Sequence, residues 1–534
     1  MRQLAMHPAA HAKTQPDRPA IIMAGSGQVV TYRQLDERAN QGASFFRRCG
    51  LRQGDVVALF CENGASFLEA AWAAQRSGLL FTCVSTRSSP DELAYILRDS
   101  GAKLLLCSRV LLDVAHRALT QVPAVTLYIV DATNDDDLSF QSARAQCPIT
   151  PIADECLGVD LLYSSGTTGR PKGIRPKVAT GGPIDTPDRV TELARTRFGL
   201  NQQAIYLSPA PLYHAAPMRW SMAVHRVGGT VVMLEKFEPL AALQAIERYR
   251  VNISQWVPTH FVRLLRLSQP ERESYDLSSL KIAIHAAAPC AIPVKEAMIA
   301  WWGPILTEYY AGTEGIGMTQ INSEEWLHKK GSVGRAISGE LHICDELGSP
   351  VPQGTTGIVY FSGGGDFEYH NDIEATRRSH NKQGWATFGD VGYVDADGYL
   401  FLTDRQSFMI ISGGVNIYPQ EIENQLMSHP AVADAAVVGA PDEEMGERVV
   451  AVIQPLVWSD AGPGLAADIT DFLRAHMSHV KVPRQVDFVQ QLPRHENGKL
   501  YKKLIRDGYW RDPHRSAADG SGLQGASKRG EVNG

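Results

Sequence analysis

At 534 residues the chain is too long for one ordinary core, so two or more domains are expected. Hydrophobic residues at 44% and charged residues at 21% are those of a globular soluble protein. A formal net charge of −6 removes any case for nucleic-acid or anionic-membrane binding through bulk charge, so an anionic ligand must be met by local cations. No apolar run reaches the length of a transmembrane helix, and the N-terminus has no charged segment leading into an apolar run, so no signal peptide is expected. The cysteines (Cys49, Cys61, Cys83, Cys107, Cys147, Cys156, Cys290 and Cys344) include no C-x-x-C pair. Free thiols in a reducing cytoplasm are expected, rather than a disulfide frame or a zinc site.

In chain order, VVALFC (56–61) reads as a buried strand, SFLEAAWAAQRSG (66–78) as a helix stopped at Gly78, and LLFTCVS (79–85) as a strand. ELAYILRDSG (92–101) is a helix; KLLLCS (103–108) and TLYIVD (126–131) are strands. Strand and helix in alternation imply parallel sheets with helices on both faces. The pattern resumes at GGTVVML (228–234), PLAALQAIERYRV (239–251) and KIAIHAAA (281–288). From about 330 to 405 short strands stand between glycine turns, in GELHICDE, GIVYFSGGG and GYLFLTDR, which predicts a small antiparallel or distorted barrel region. After Arg405, PQEIENQLMSHP (419–430) and ADITDFLRAHM (467–477) read as helices, and VADAAVVGA (432–440) and RVVAVIQP (448–455) as strands. The fold class is therefore α/β, with a smaller α+β unit at the end. The small, polar stretch 516–534 should be disordered.

LLYSSGTTGRPKGI (161–174) is the most informative stretch. Backbone N–H groups of a glycine-rich turn can converge on phosphate oxygens. Ser164, Ser165, Thr167 and Thr168 can add hydroxyl donors, and Lys172 a positive charge. A random Gly/Ser/Thr cluster is usually only a solvated turn, but YSSGTTGRPKG is longer and more constrained. It is not a P-loop: two residues, not four, separate Gly166 from Gly169, and Lys172 is followed by Gly173. LTEYYAGTEG (306–315) sets an aromatic pair beside a Thr–Glu pair; a tyrosine can stack on a purine and a glutamate can hold Mg2+ against phosphates. Asp390, between glycines in WATFGDVGYVDADGYLFLTDR (385–405), can accept both hydroxyls of a ribose, although a lone GD is far more often a turn. SFMIISGGVNIYPQEIE (407–423) and LPRHENGKLYKKLIR (492–506) complete the set, the latter with Lys499 after a glycine turn. Each is weak alone; their order and joint occurrence carry the signal.

In that order the segments closely resemble the adenylate-forming (AMP-binding) superfamily, in its acyl-CoA synthetase branch, from TYRQLDERAN (31–40) to LIR (504–506). The resemblance implies a large N-terminal domain of doubly wound sheets plus a distorted β-barrel, set at 1–404, a small mobile α+β domain at 405–510 and a disordered tail at 511–534. It implies a pivot at Ser407, where the family more often has Asp or Lys. The implied reaction joins a carboxylic acid to AMP at the expense of Mg·ATP, then passes the acyl group to the thiol of coenzyme A. ATP, Mg2+, CoA and a small carboxylic acid are the implied ligands, in fatty acid metabolism or a related setting, and a homodimer is allowed. By the same resemblance Lys499 bridges carboxylate and α-phosphate. Lys172 and the loop Ser164, Ser165, Gly166, Thr167, Thr168 and Gly169 cradle pyrophosphate. Glu314, with Thr167, holds Mg2+, and Thr313 touches phosphate. Tyr310 stacks on adenine, with Ala288 also in the nucleotide site, Asp390 takes the ribose, and Arg405 makes a further nucleotide contact. Gly413 and Gly414 line the pantetheine tunnel. His214, in PLYHAAP, matches a gate near the acyl and thiol channels, or is structural.

The departures bear on the substrate. Ala286, Ala287 and Ala311 stand where the family usually has glycine, and Phe388 stands where it has threonine. Amino-acid-activating relatives carry an aspartate where this chain reads PLYHAAPMRW, so an uncharged fatty, aromatic or bulky alicyclic acid is expected. Trp220, Met218, Met222 and Trp256 are candidate wall residues that serve equally well as core. A carrier-protein phosphopantetheine arm in place of CoA, an acyl-phosphate-forming or oxidative relative, and a silent nucleotide-binding homologue stay open as alternatives.

Overall fold

The computed structural model describes residues 6–132, 138–164, 171–176, 181–405, 408–413, 415–494 and 500–511, the side chains of Pro176, Asp404, Arg405 and Asn416 excepted. The expected alternation is present. Val56–Phe60, Leu80–Cys83, Ala102–Cys107, Thr126–Ile129 and Val159–Asp160 form a five-stranded parallel sheet. The strand Val56–Phe60 is buried throughout, as a continuous apolar run requires when both sheet faces are covered. The helix Pro90–Ser100 starts on a capping box from Ser89 and Glu92 and stops at Gly101, whose φ of 67° is left-handed.

A second, nine-stranded sheet is parallel through its middle. Ile205–Ser208, Ile253–Trp256, Ile282–His285 and Leu306–Ala311 run side by side, and the chain then reverses into the antiparallel pair Met318–Asn322 and Arg335–Ser338. Leu306–Ala311 is pinned by a buried ion pair: Lys295 Nζ, on the helix Ile292–Trp302, lies 2.6 Å from Glu308 Oε2 and over the Trp326 ring. Removing one partner of such a pair leaves an uncompensated charge, at a cost of about 3–5 kcal/mol.

The glycine-punctuated region forms a four-stranded antiparallel sheet of Glu340–Cys344, Gly357–Ser362, Ala386–Val394 and Leu400–Arg405. From Ile410 on, a further sheet pairs Val432–Asp442 with Gly446–Pro455 and adds Gln485–Phe488 in parallel. Its apolar clusters draw on residues 410–509 alone, so this smaller unit buries a core of its own. The helix expected over 419–430 ends at Leu426, short of Pro430, which cannot continue a helix. All eight cysteines are free, and among the described residues no helix is long and apolar enough to cross a membrane.

The first helices are tied to the nine-stranded sheet by a buried polar network. Trp72 Nε1 donates to His225 Nδ1 at 3.0 Å, and His225 Nε2 lies 3.0 Å from the carbonyl of Ala20. Nδ1 must therefore accept and Nε2 donate, which fixes a neutral imidazole. Burial, opposed by the bond to Ala20, brings the His225 pKa down to about 4. His7 and His11 are lowered too, both chiefly by burial. The unfolded chain therefore binds protons that the folded chain refuses. Stability is fully present above the unfolded pKa of about 6.5 and is lost as pH falls from there toward 4. Thermal unfolding followed between pH 7 and 4 should show a falling midpoint, with about 3 kcal/mol lost through His225 alone. A His225→Gln variant should have a shallower pH slope, by about one proton.

Candidate active site

The site is built around the turn that follows Leu306–Ala311. That strand carries Tyr310, and Thr313 and Glu314 follow in the turn, which is closed by Gly315 N–H donating to the carbonyl of Gly312 at 3.1 Å. Parallel strands deliver ligand-binding residues at their carboxyl ends, where loops open into a crevice. The Tyr310 hydroxyl donates to Asp390 Oδ2 at 2.6 Å, which joins the aromatic to the ribose candidate. Asp390 lies in the strand Ala386–Val394 and is only 7% exposed. Gly389 before it takes φ of 79°, a left-handed position that suits glycine, and the register with Gly357–Ser362 shifts across it. Asp390 also stands opposite Arg405 in the antiparallel register, so the two strands present both at one level of the sheet.

Ser164 ends the strand Leu162–Ser164 and pairs in register with Lys172, which opens Lys172–Pro176. The glycine-rich segment is thus the link across an antiparallel pair. Ser165, Gly166, Thr167, Thr168 and Gly169 lie outside the described residues. Lys172 Nζ lies 5.0 Å above the Tyr369 ring, and the Tyr369 hydroxyl donates to Glu314 Oε1 at 2.9 Å. Tyr369, which no motif singled out, thereby joins the lysine of the loop to the acid of the turn. Its one sequence signal is its place in FEY (367–369), which pairs with Lys172–Pro176.

Phe388 explains itself against Gly312. A Cβ on Gly312 would stand 2.3 Å from the Phe388 ring and 2.7 Å from Glu314 Oε2. A larger side chain than the usual threonine is accommodated because residue 312 has none. Phe388 meets Tyr310 edge-on at 5.6 Å, and Phe361 lies 6.3 Å from Tyr310, so the tyrosine ring is held by two others. Ala287 takes φ of 77°, which an alanine adopts only under strain; the family's glycine would rest there without it. Ala288 follows, half-buried, after the strand Ile282–His285.

His214 is the N-cap of the helix Ala215–Arg226, with its ring against Tyr213 at 4.5 Å. The wall candidates on that helix are core. Met218, Trp220 and Met222 belong to the main apolar cluster, and Trp220 packs among Phe198, Tyr206 and Tyr309. Trp256 lies in the neighbouring cluster. A residue between them was missed: Arg219 donates through Nε and Nη2 to Asp160 Oδ2, at 3.1 and 2.7 Å, and through Nη1 to the Thr313 carbonyl at 3.2 Å. Gly413 takes φ of 57°, and its N–H donates to the carbonyl of Met445 in the smaller unit. Lys499, Gly414 and Ser407 lie outside the described residues, as does the side chain of Arg405.

The described part of the constellation has groups that suit a nucleoside triphosphate: the hydroxyls of Ser164 and Thr313, the Lys172 ammonium, and the carboxylates of Glu314 and Asp390. Among the described residues no cluster of three or more His, Cys, Asp or Glu could hold a metal on its own. A single carboxylate completed by substrate phosphates and water is the arrangement Mg2+ favours, so Glu314 fits that ion.

A model of the AMP-binding enzyme family matches residues 9–368, and one of the AMP-binding enzyme C-terminal domain matches 421–499. A feruloyl-CoA synthase of an Amycolatopsis species is 33% identical over 93% of this chain and 97% of its own. A medium/long-chain fatty acid–CoA ligase of Mycobacterium tuberculosis is 31% identical over 94% of this chain and 90% of its own. The crystal structure of ATP-bound MatB from Rhodopseudomonas palustris superposes with a TM-score of 0.80 at 26% identity, covering 96% of this chain and 100% of that one.

The Tyr369 bond gives a direct test. Tyr369→Phe keeps the ring under Lys172 and removes the hydroxyl that donates to Glu314. A hydrogen bond to a charged group contributes about 1.5–3 kcal/mol, so acid-dependent pyrophosphate–ATP exchange should fall by about ten- to a hundredfold. The thermal midpoint should fall by no more than a few degrees, the shift such a loss makes in a chain this long.

Proposed function

The chain belongs to the AMP-binding enzyme family and is an AMP-forming carboxylate–CoA ligase, and we propose that its acid is uncharged and hydrophobic: fatty, aromatic or bulky alicyclic. In the first half a carboxylate oxygen attacks the α-phosphorus of ATP, the bond to the β-phosphate oxygen breaks, and pyrophosphate leaves. In the second half the sulfur of CoA attacks the acyl carbonyl, and the bond to AMP breaks. The thiol proton passes to water, and the acid is already ionised, so no strong general base is needed.

The observation that carries this reading is the chain of contacts from Lys172 through Tyr369 to Glu314, beside the bond from Tyr310, at the end of Leu306–Ala311, to Asp390. The first half crowds two anions together, and fixed positive charge in a drier pocket offsets that repulsion. Lys499 serves at the α-phosphate. Lys172 and the loop hydroxyls of Ser164, Ser165, Thr167 and Thr168 receive the departing pyrophosphate. Mg2+, held by Glu314 and Thr167, would supply neutralising charge to the phosphate oxygens. Thr313 steadies a phosphate, Tyr310 and Ala288 hold the base, and Asp390 and Arg405 hold the ribose side. The unit 405–510 swings about Ser407 against 1–404 and brings Gly413 and Gly414 to the pantetheine arm, with His214 as the gate. Two carboxylates that lie by the helix Ala215–Arg226, Asp160 and Asp188, are engaged by Arg219 and Arg226, which supports an acid without an ammonium group.

A panel of fatty, cinnamic, benzoic and steroid side-chain acids with Mg·ATP, with and without CoA, tests the reading. Acid-dependent pyrophosphate release and thioester formation are expected. Release without thioester would point to a carrier-protein arm; no release with any acid would point to a silent homologue. Lys499→Ala should lose about 2–4 kcal/mol of transition-state stabilisation in the first half. It should largely spare thioester formation from supplied acyl-adenylate.

A further inference from the structure

Arg219 lies in PLYHAAPMRW (211–220), where only its neighbours were assigned roles, yet it joins three segments of the site. Its side chain is 19% exposed and that of Asp160 is 18%. Nε and Nη2 hold one oxygen of Asp160, and Nη1 holds the backbone carbonyl of Thr313. Asp160 ends the short strand Val159–Asp160, just before the strand Leu162–Ser164 that runs into the glycine-rich segment. Arg219 itself rides on the helix capped by His214. One planar cation therefore ties that helix, the stem of the phosphate loop and the Thr313–Glu314 turn to one another.

The other supports of the turn act elsewhere. Gly315 closes it from within, the N–H of Gly365 donates to the carbonyl of Gly315 at 3.0 Å, and Tyr369 grips the Glu314 carboxylate. Among the described hydrogen bonds, Arg219 is the side chain that holds the backbone at Thr313. A guanidinium has a rigid fork, so it fixes the separation of the two groups it binds; an ammonium on a flexible stem does not. The guanidinium also sets a positive charge near Glu314, whose own charge acts on it in turn.

We infer that Arg219 is a positioning residue for adenylation: it registers the Thr313–Glu314 turn against the stem of the phosphate loop, so that both side chains meet the triphosphate in one geometry. This rests on the function proposed above. The competing view is an ion pair that serves stability alone. The two differ in what Arg219→Lys does, because lysine retains the charge beside Asp160 but cannot span to Thr313.

Arg219→Lys, Arg219→Met and Asp160→Asn should be compared with the wild type by thermal midpoint, by calorimetric titration with Mg·ATP, and by acid-dependent pyrophosphate–ATP exchange. Arg219→Lys should keep the midpoint, weaken ATP binding by about tenfold, and lower the exchange kcat by about a hundredfold, the scale of a misplacement near 1 Å. Arg219→Met should lose at least as much, and Asp160→Asn less, since the contact to Thr313 survives it. If Arg219→Met fails to fold, Arg219→Lys decides. A folded Arg219→Lys whose ATP affinity and exchange stay within about twofold of wild type would overturn the inference. So would losses that vanish at a temperature low enough to refold the variant. Should the wild type exchange with no acid at all, the functional reading fails first, and the ATP titration shows whether nucleotide binding survives it.

Discussion

The buried strand Leu306–Ala311 ends at the surface of the nine-stranded sheet, and the site depends on where it ends. Glu308 is held inside by Lys295, and Tyr310, two residues on, already reaches Asp390. Four residues later Glu314 stands in the turn that Gly315 closes. A strand pinned so firmly leaves the turn little freedom of position, which is the condition for electrostatic preorganisation. Ligand-binding side chains at a strand's carboxyl end owe their placement to the core behind them rather than to the loop.

Charge at this site has to be local, because the chain as a whole carries −6. Among the described residues Lys172 forms no ion pair; its ammonium lies over the face of Tyr369. A ring quadrupole attracts a cation without cancelling its charge, as a carboxylate would. The lysine therefore stays available to an arriving phosphate. The same tyrosine engages Glu314 through its hydroxyl, so one residue keeps cation and anion apart while orienting both. Direct pairing of Lys172 with Glu314 would spend the charge that the triphosphate needs.

Much of this was legible in the sequence. Continuous apolar runs marked the parallel strands, and Gly78 and Gly101 marked helix ends by the left-handed backbone they adopt. The motif residues Ser164, Lys172, Tyr310, Glu314 and Asp390 fall on elements that converge, because each motif sits where a strand ends or turns. What stayed hidden were contacts between distant segments. Tyr369 and Arg219 look like any aromatic and any surface arginine; only the pairing of FEY (367–369) with Lys172–Pro176, and of the helix Ala215–Arg226 with Asp160, gives them partners. Trp220 and Met218 read equally well as pocket wall or core, and burial settles them as core. Phe388 stood out only as a departure from the family's threonine; the bare Gly312 beside it shows where the ring goes.

The chemistry is tested most directly by following an oxygen atom. An acid that supports turnover, labelled with 18O in both carboxylate positions, is converted with Mg·ATP and CoA, and the AMP is recovered for mass spectrometry. Attack of the carboxylate on the α-phosphorus, followed by cleavage of the acyl carbon–oxygen bond, requires AMP carrying one 18O. Unlabelled AMP, with the label in pyrophosphate or inorganic phosphate, would contradict an acyl-adenylate and the roles assigned around it.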